Sequence, residues 1–121
     1  MTTARIKLGK TGEDLACEEL VRRGYEILAR RYRRRGGELD IIARDGETTV
    51  FVEVKAREGR EFGDAGEAIG YGKRRHLAGV ALDYVARHHL ANRPCRFDVV
   101  SILFKNGEPV IEVYQNAFDV D

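Results

Sequence analysis

Residues 37–55 read GELDIIARDGETTVFVEVK, and the alternation of this stretch around a central turn decides the fold. Successive side chains of a strand point to opposite faces, so the pattern predicts strands at residues 38–44 and 48–56. The Asp45-Gly46 dipeptide between them is one of the strongest short-range signals for a hairpin turn. The stretch therefore predicts an antiparallel hairpin.

Acidic side chains share one face of this hairpin. With a two-residue turn at Asp45-Gly46, Asp40 and Glu53 are diagonal neighbours, whereas a four-residue loop sets them directly opposite. Lys55 follows on the same face. Facing carboxylates destabilise a sheet unless they are compensated, and their hard oxygens suit Mg²⁺ or Mn²⁺. The residues predict a metal site, and the alternative is an ordinary solvated face on which Lys55 neutralises the acids.

A third acid lies on a predicted first helix. Thr11 and Asp14 form a capping pattern that predicts the helix start, and Gly24 is typical of a helix end. Cys17 belongs to the apolar stripe, and Glu13, four residues earlier, shares its face. Glu13 is therefore expected on the core side, and the alternative is an acid that only the helix dipole favours.

The remaining periodicity completes the element order α-β-β-β-α-β-β. Alternating patterns predict further strands at residues 25–32, 96–104 and 110–114, and a period of 3.6 predicts a helix at residues 72–90. A long crossover helix permits parallel neighbours, so we predict an α/β fold with a central five-stranded mixed sheet flanked by helices. The 121 residues are the usual length of one domain, which we take as 1–121.

Composition narrows the class of protein. Hydrophobic residues are 43% and charged residues 34% of the chain, as in globular proteins. We find no run of the roughly 20 apolar residues that a membrane span needs and no signal peptide, so we expect no membrane partner and a cytoplasmic location. Cys17 and Cys95 lack a metal-binding or disulfide spacing and are expected to be reduced.

Basic residues concentrate at one end of the chain. Residues 1–35 hold ten Lys or Arg against five Asp or Glu, whereas residues 95–121 hold two against five. This asymmetry indicates a basic face for a polyanion. The residues predicted to contact nucleic-acid phosphates are three from a turn before the acidic strand and one from the start of the long helix: Arg33, Arg34, Arg35 and Lys73. A solvated turn is the alternative.

Other polar residues are assigned structural roles. Asp98 lies two residues after Arg96, and we favour an ion pair between them over a role in a site. His76, His88 and His89 have no partners at metal-ligand spacing, so packed or solvated histidines are expected.

At these residues the sequence resembles known families. Asp40 with Glu53-x-Lys55 is similar to the PD-(D/E)xK nuclease motif, although Leu39 replaces the proline before the aspartate. Glu13 resembles the helix glutamate of archaeal Holliday junction resolvases. Nearly the whole chain resembles the YraN-type family of small uncharacterised bacterial proteins. The matching segments are GKTGEDLA (9–16), GELDII (37–42), VFVEVKAR (50–57), RFDVV (96–100) and NAF (116–118).

The resemblance implies a restriction-endonuclease-like fold and hydrolysis of phosphodiesters in structured or branched DNA. It implies Glu13, Asp40 and Glu53 as catalytic acids that bind Mg²⁺ or Mn²⁺, the backbone carbonyl of Val54 facing the metal, and Lys55 as the catalytic lysine. Junction resolvases need two active sites, so a homodimer is expected. The alternatives are a non-catalytic nucleic-acid-binding or interaction module of the same fold, and a structural subunit with neutralised acids.

Overall fold

The computed structural model describes residues 2–58 and 70–118, with side chains described from Gly12 onward in the first helix. The order α-β-β-β-α-β-β is confirmed. The elements are α1 (Thr2–Arg22), β1 (Glu26–Arg34), β2 (Gly37–Asp45), β3 (Thr48–Glu58), α2 (Tyr71–Arg87), β4 (Cys95–Lys105) and β5 (Glu108–Tyr114).

The strands form one mixed sheet in the order β1-β2-β3-β4-β5. β3 and β4 are parallel, and every other neighbouring pair is antiparallel. Parallel neighbours cannot be joined by a tight turn, and α2 lies in the connection between β3 and β4. The predicted α/β fold is therefore confirmed. Of the helices that the structure describes, neither is long and apolar enough to cross a membrane.

Each face of the sheet is covered by one helix, and this explains the nearly continuous apolar runs of the central strands. The α1 face buries Ala16, Leu20, Ile41, Val52, Val100 and Ile102. The α2 face buries Leu39, Phe51, Leu77, Val80, Tyr84 and Val99.

The predicted start of the first helix is wrong, because α1 begins at Thr2 and runs through Thr11 and Gly12. Ala, Arg, Leu and Lys before Thr11 are good helix formers, and their propensity continues the helix past the capping pattern. The Thr11 side chain lies outside the described residues. A Cβ on Gly12 would lie 2.6 Å from the Cβ of Ala56, so glycine here permits the close approach of α1 to β3.

Two hairpin turns, β2–β3 and β1–β2, differ from the prediction. The β2–β3 turn is centred on Gly46-Glu47, with Asp45 paired to Thr48, rather than on Asp45-Gly46. Gly46 has a φ of 62°, and glycine at the first central position is the requirement of a type II′ turn.

The β1–β2 turn is shorter than the predicted basic turn. Arg33 and Arg34 continue strand β1, where they pair with Glu38 and Gly37 of β2. Only Arg35 and Gly36 remain in the turn. The reason is that Gly36 supplies the positive φ (96°) of a tight turn, and the strand ladder can then extend to it.

Candidate active site

Strand β3 carries the charged residues to the face covered by α2. Phe51 belongs to the core on this face, whereas Val52 and Val54 pack on the α1 side. By alternation Glu53 and Lys55 lie on the α2 face beyond Phe51. Glu53 is only 4% exposed. The charge in this apolar strand is therefore buried in the protein.

Asp40 meets Glu53 across the β2–β3 pair. The paired positions run from Asp45 opposite Thr48 to Ile41 opposite Val52, and Asp40 and Glu53 are the positions that follow the last pair. Their carboxyl groups share a side-chain hydrogen bond. The two-residue turn thus produces the directly opposed register that the sequence reasoning had connected with a four-residue loop.

A local distortion of β2 directs the Asp40 side chain. Leu39 packs on the α2 side and Ile41 on the α1 side, although residues two apart in a regular strand share a face. Across from this break, Arg31 of β1 has a φ of 52°, which is rare outside glycine. Irregularities of this kind re-aim side chains next to functional sites. The sequence held no signal for this distortion.

The backbone of β3 completes the contact. The amide of Val54 donates a hydrogen bond to Oδ2 of Asp40 at 2.8 Å. In an extended strand the N–H and C=O of one residue point to the same side, so the Val54 carbonyl is also directed toward β2. This orientation is compatible with the metal-facing carbonyl that the resemblance implies.

The site holds a proton more tightly than isolated carboxylates do. Burial, followed by the hydrogen bond and the negative charge of Glu53, raises the pKa of Asp40 to about 7. The Val54 amide and the Lys73 ammonium act in the opposite direction but do not prevent the shift. At neutral pH the two carboxyls therefore share a proton in part of the molecules, unless another cation compensates them.

Lys73 supplies one such cation from the first turn of α2. Its ammonium forms an ion pair with the Glu53 carboxylate. Lys73 was predicted to contact phosphate, and its pair with Glu53 could not be predicted because the position of α2 over β3 is a tertiary feature. The basic residue at the helix start thus already has an acidic partner within the protein.

Glu13 contacts arginines of β1 instead of the other two acids. Its Oε1 lies 2.9 Å from Nη2 of Arg30 and 3.2 Å from Nε of Arg31. α1 packs on the face of the sheet opposite to Glu53. Among residues 2–58 and 70–118, no group of three or more His, Cys, Asp or Glu side chains is arranged to hold a metal ion. The ligand role of Glu13 stays a prediction.

The predicted phosphate contacts on β1 are also in ion pairs. Nη2 of Arg33 lies 2.8 Å from Glu38, and Nε of Arg34 lies 3.0 Å from Asp83. Arg35 is exposed in the turn. Exposed ion pairs contribute at most about 1 kcal/mol, so these arginines could exchange their carboxylates for phosphates at little cost.

The structural role expected for Asp98 is confirmed. Its carboxylate is fully buried and lies 2.9 Å from Nε of Arg96. It also accepts hydrogen bonds from the Tyr25 hydroxyl and the Asn116 amide, both at 3.0 Å. These contacts join the start of β4 to the connection between α1 and β1 and to the segment after β5.

The chemistry of Asp40 and Glu53 fits a hard divalent cation. Mg²⁺ keeps several waters and is commonly held by one or two carboxylates with substrate phosphates, so a third acid is not required. Two adjacent carboxyls and a nearby backbone carbonyl provide such a donor set, with Lys55 next on the same face. The sheet topology defines the class as an α/β protein with a five-stranded mixed sheet.

Comparison with known proteins identifies the family. The chain belongs to the uncharacterised protein family UPF0102, whose sequence model matches residues 12–102. A UPF0102 protein of Geobacter metallireducens is 45% identical over 120 residues, covering 99% of this chain and 98% of that protein. UPF0102 proteins of Anaeromyxobacter dehalogenans and Symbiobacterium thermophilum are 43% and 47% identical, covering 97% and 93% of this chain and 87% and 96% of theirs. The resemblance to the YraN-type family is confirmed.

Proposed function

We propose that this protein is a metal-dependent endonuclease-like enzyme that hydrolyses phosphodiesters in structured or branched DNA. The observation that carries the proposal is the contact between the Asp40 and Glu53 carboxyls on a buried sheet face, with Lys55 next on that face. The preference for branched DNA rests on the resemblance to junction resolvases.

The buried carboxyl pair is energetically unfavourable and therefore calls for a functional explanation. Two adjacent acids in a low-dielectric environment cost free energy that a pair of apolar side chains would not cost. Perturbed carboxyls in such a place are typical of functional sites. A divalent cation would stabilise both ionised groups at once, which neither a shared proton nor one lysine does.

In this proposal Asp40, Glu53 and the Val54 carbonyl would hold Mg²⁺ or Mn²⁺, and the cation would supply Lewis-acid activation of a phosphoryl oxygen and of a water. Lys55 orients the attacking water and stabilises the negative charge that develops at phosphorus. Asp40 must release its proton to act as a ligand, so the metal ion should bind more weakly as the pH falls below about 7.

The DNA is expected to bind at the β1–β2 hairpin, where basic residues cluster. Arg33, Arg34 and Arg35 at the β1–β2 hairpin would hold the backbone without reading its sequence. Lys73 would release Glu53 when the cation binds and become available for a phosphate. A homodimer would supply the second active site that cleavage of both strands requires.

A non-catalytic nucleic-acid-binding or interaction module of the same fold is the second candidate. The Lys73–Glu53 pair and the bonds of Glu13 to Arg30 and Arg31 favour it, because they neutralise the acids without a metal ion. A module of this kind has no need for a free carboxylate face.

A cleavage and binding panel separates the two functions. Single-stranded, duplex, flap and four-way DNA are incubated with the full chain and Mg²⁺ or Mn²⁺, beside Asp40→Asn, Glu53→Gln and the control Glu47→Gln, an exposed acid of the same hairpin. We expect cleavage by the parent and the control, and loss of cleavage in the two site variants. Metal-independent DNA binding without cleavage, unchanged by both substitutions, would overturn the nuclease and support the module.

A further inference from the structure

Strand β3 carries one more cation beyond the proposed catalytic lysine. Arg57 lies two residues after Lys55 and therefore on the same face of the strand. Its Nε and Nη2 atoms are buried, yet neither has a hydrogen-bond partner in the described structure. Buried guanidinium nitrogens without a partner are costly, and such atoms call for an explanation in a ligand or a solvent molecule.

The neighbouring strand places a second unpartnered donor beside it. In the parallel β3–β4 pair, Ser101 is opposite Lys55 and Leu103 is opposite Arg57. Val99 packs on the α2 side and Val100 on the α1 side, so alternation puts Ser101 on the α2 face. Ser101 is 1% exposed, and its hydroxyl has no hydrogen-bond partner among the described residues. Ser101 and Arg57 are thus diagonal neighbours on one face.

These donors match a tetrahedral oxyanion. Nε and Nη2 form the edge of a guanidinium that can grip two oxygens of one phosphate in parallel hydrogen bonds. The serine hydroxyl can donate to a third oxygen, and the Lys55 ammonium adds positive charge. Arg57 also lies one residue before the carboxyl end of β3, and ligands of α/β sheets commonly bind at the carboxyl ends of the strands.

We propose that Arg57, Ser101 and Lys55 form an oxyanion subsite that binds a phosphate group. Four strand residues separate Arg57 from Glu53, about 13 Å at the usual rise, so the bound group is a neighbour of the reacting phosphate rather than the reacting phosphate itself. Assigning this phosphate to a DNA strand rests on the proposed function. Free inorganic phosphate has the same chemistry, and the experiment separates the two sources.

The test follows the arginine Nε–H signals of the full chain by ¹⁵N NMR. Inorganic phosphate is added at constant ionic strength, with chloride as the reference, and a four-way DNA junction is added in a second titration without divalent metal. The Arg57 signal is assigned in the parent by triple-resonance correlation to its own backbone, and its loss in Arg57→Lys checks the assignment. Arg44→Lys is the matched control, since Arg44 is an exposed β2 arginine paired with Glu26.

We expect phosphate and DNA to shift the Arg57 signal and to leave the Arg44 signal in place. Arg57→Lys and Ser101→Ala should each weaken phosphate binding about tenfold, because each removes a hydrogen bond to a charged group. The titrations of the parent protein remain informative even if a variant fails to fold.

The outcomes distinguish this subsite from the proposed function. An Arg57 signal that moves with neither phosphate nor DNA overturns the subsite, whether or not the protein cleaves DNA. A signal that moves with phosphate in a protein that binds no DNA upholds the subsite and contradicts the nuclease. A signal that moves with DNA only upholds the subsite and assigns it to the phosphodiester.

Discussion

Replacing Asp40 by Asn should change how the free energy of unfolding depends on pH. In the folded protein the pKa of Asp40 is raised from its ordinary value of 3.8 to about 7 by burial and by Glu53. The folded state therefore binds the proton more tightly than the unfolded state does between these two values. Stability from this group is complete below pH 3.8 and is lost as the pH rises through 7.

The size of the effect follows from the two pKa values. One pKa unit corresponds to about 1.36 kcal/mol, so the linkage relation gives a loss of about 2–3 kcal/mol for the parent between pH 5 and pH 8.5. The neutral amide of Asp40→Asn cannot titrate and keeps nearly the same shape. The variant should therefore lack this loss and be more stable than the parent at pH 8.5.

Urea denaturation followed by circular dichroism measures the difference at each pH. The difference between parent and variant reports the titration of the Asp40–Glu53 pair, because the groups that do not interact with this pair are common to both proteins. Glu47→Gln serves as the control and should follow the parent. If the free energies of unfolding of the parent and of Asp40→Asn change in parallel from pH 5 to pH 8.5, the buried pairing of Asp40 with Glu53 is refuted.

Three further predictions concern single contacts. Lys73→Met should tighten Mn²⁺ binding several-fold, as measured by calorimetry, because the Glu53 carboxylate loses its competing cation. Weaker Mn²⁺ binding in this variant would contradict the competition between Lys73 and the metal ion. Gly12→Ala should lower the free energy of unfolding by about 1–3 kcal/mol in urea denaturation, because its Cβ would lie 2.6 Å from the Cβ of Ala56 in β3. The control Gly79→Ala, at an open helix position, should stabilise the protein. Equal effects of the two substitutions would contradict the close approach of α1 to β3. Asp98→Leu should lower stability by about 3–5 kcal/mol, and an unchanged melt contradicts its buried ion pair.

The hairpin and the shared acidic face could be predicted from sequence because strand alternation is a local property. The register of the hairpin could not be predicted in the same way, since the register depends on which residues occupy the centre of the turn. The Asp-Gly pair suggested a turn at Asp45-Gly46, whereas Gly46 takes the first central position and shifts the pairing. The contact between Asp40 and Glu53 follows from this shift.

Contacts between distant elements were beyond the sequence pattern. The helical stripe placed Glu13 on the core side of α1, but it could not show that Arg30 and Arg31 take its carboxylate. In the same way, Lys73 was identified as a cation at a helix start, and its pair with Glu53 depends on how α2 packs over β3. Periodicity gives the face of an element and leaves its partner undetermined.

Direct titration of the full chain with Mn²⁺ is the most direct test of the proposed site. Isothermal calorimetry at pH 8 keeps Asp40 largely ionised and reports both the affinity and the number of ions bound. We predict one Mn²⁺ per chain in the parent and in Glu47→Gln, with binding lost in Asp40→Asn and in Glu53→Gln. Absence of binding in the parent, or equal binding in all four proteins, would contradict a metal site at the paired carboxyls.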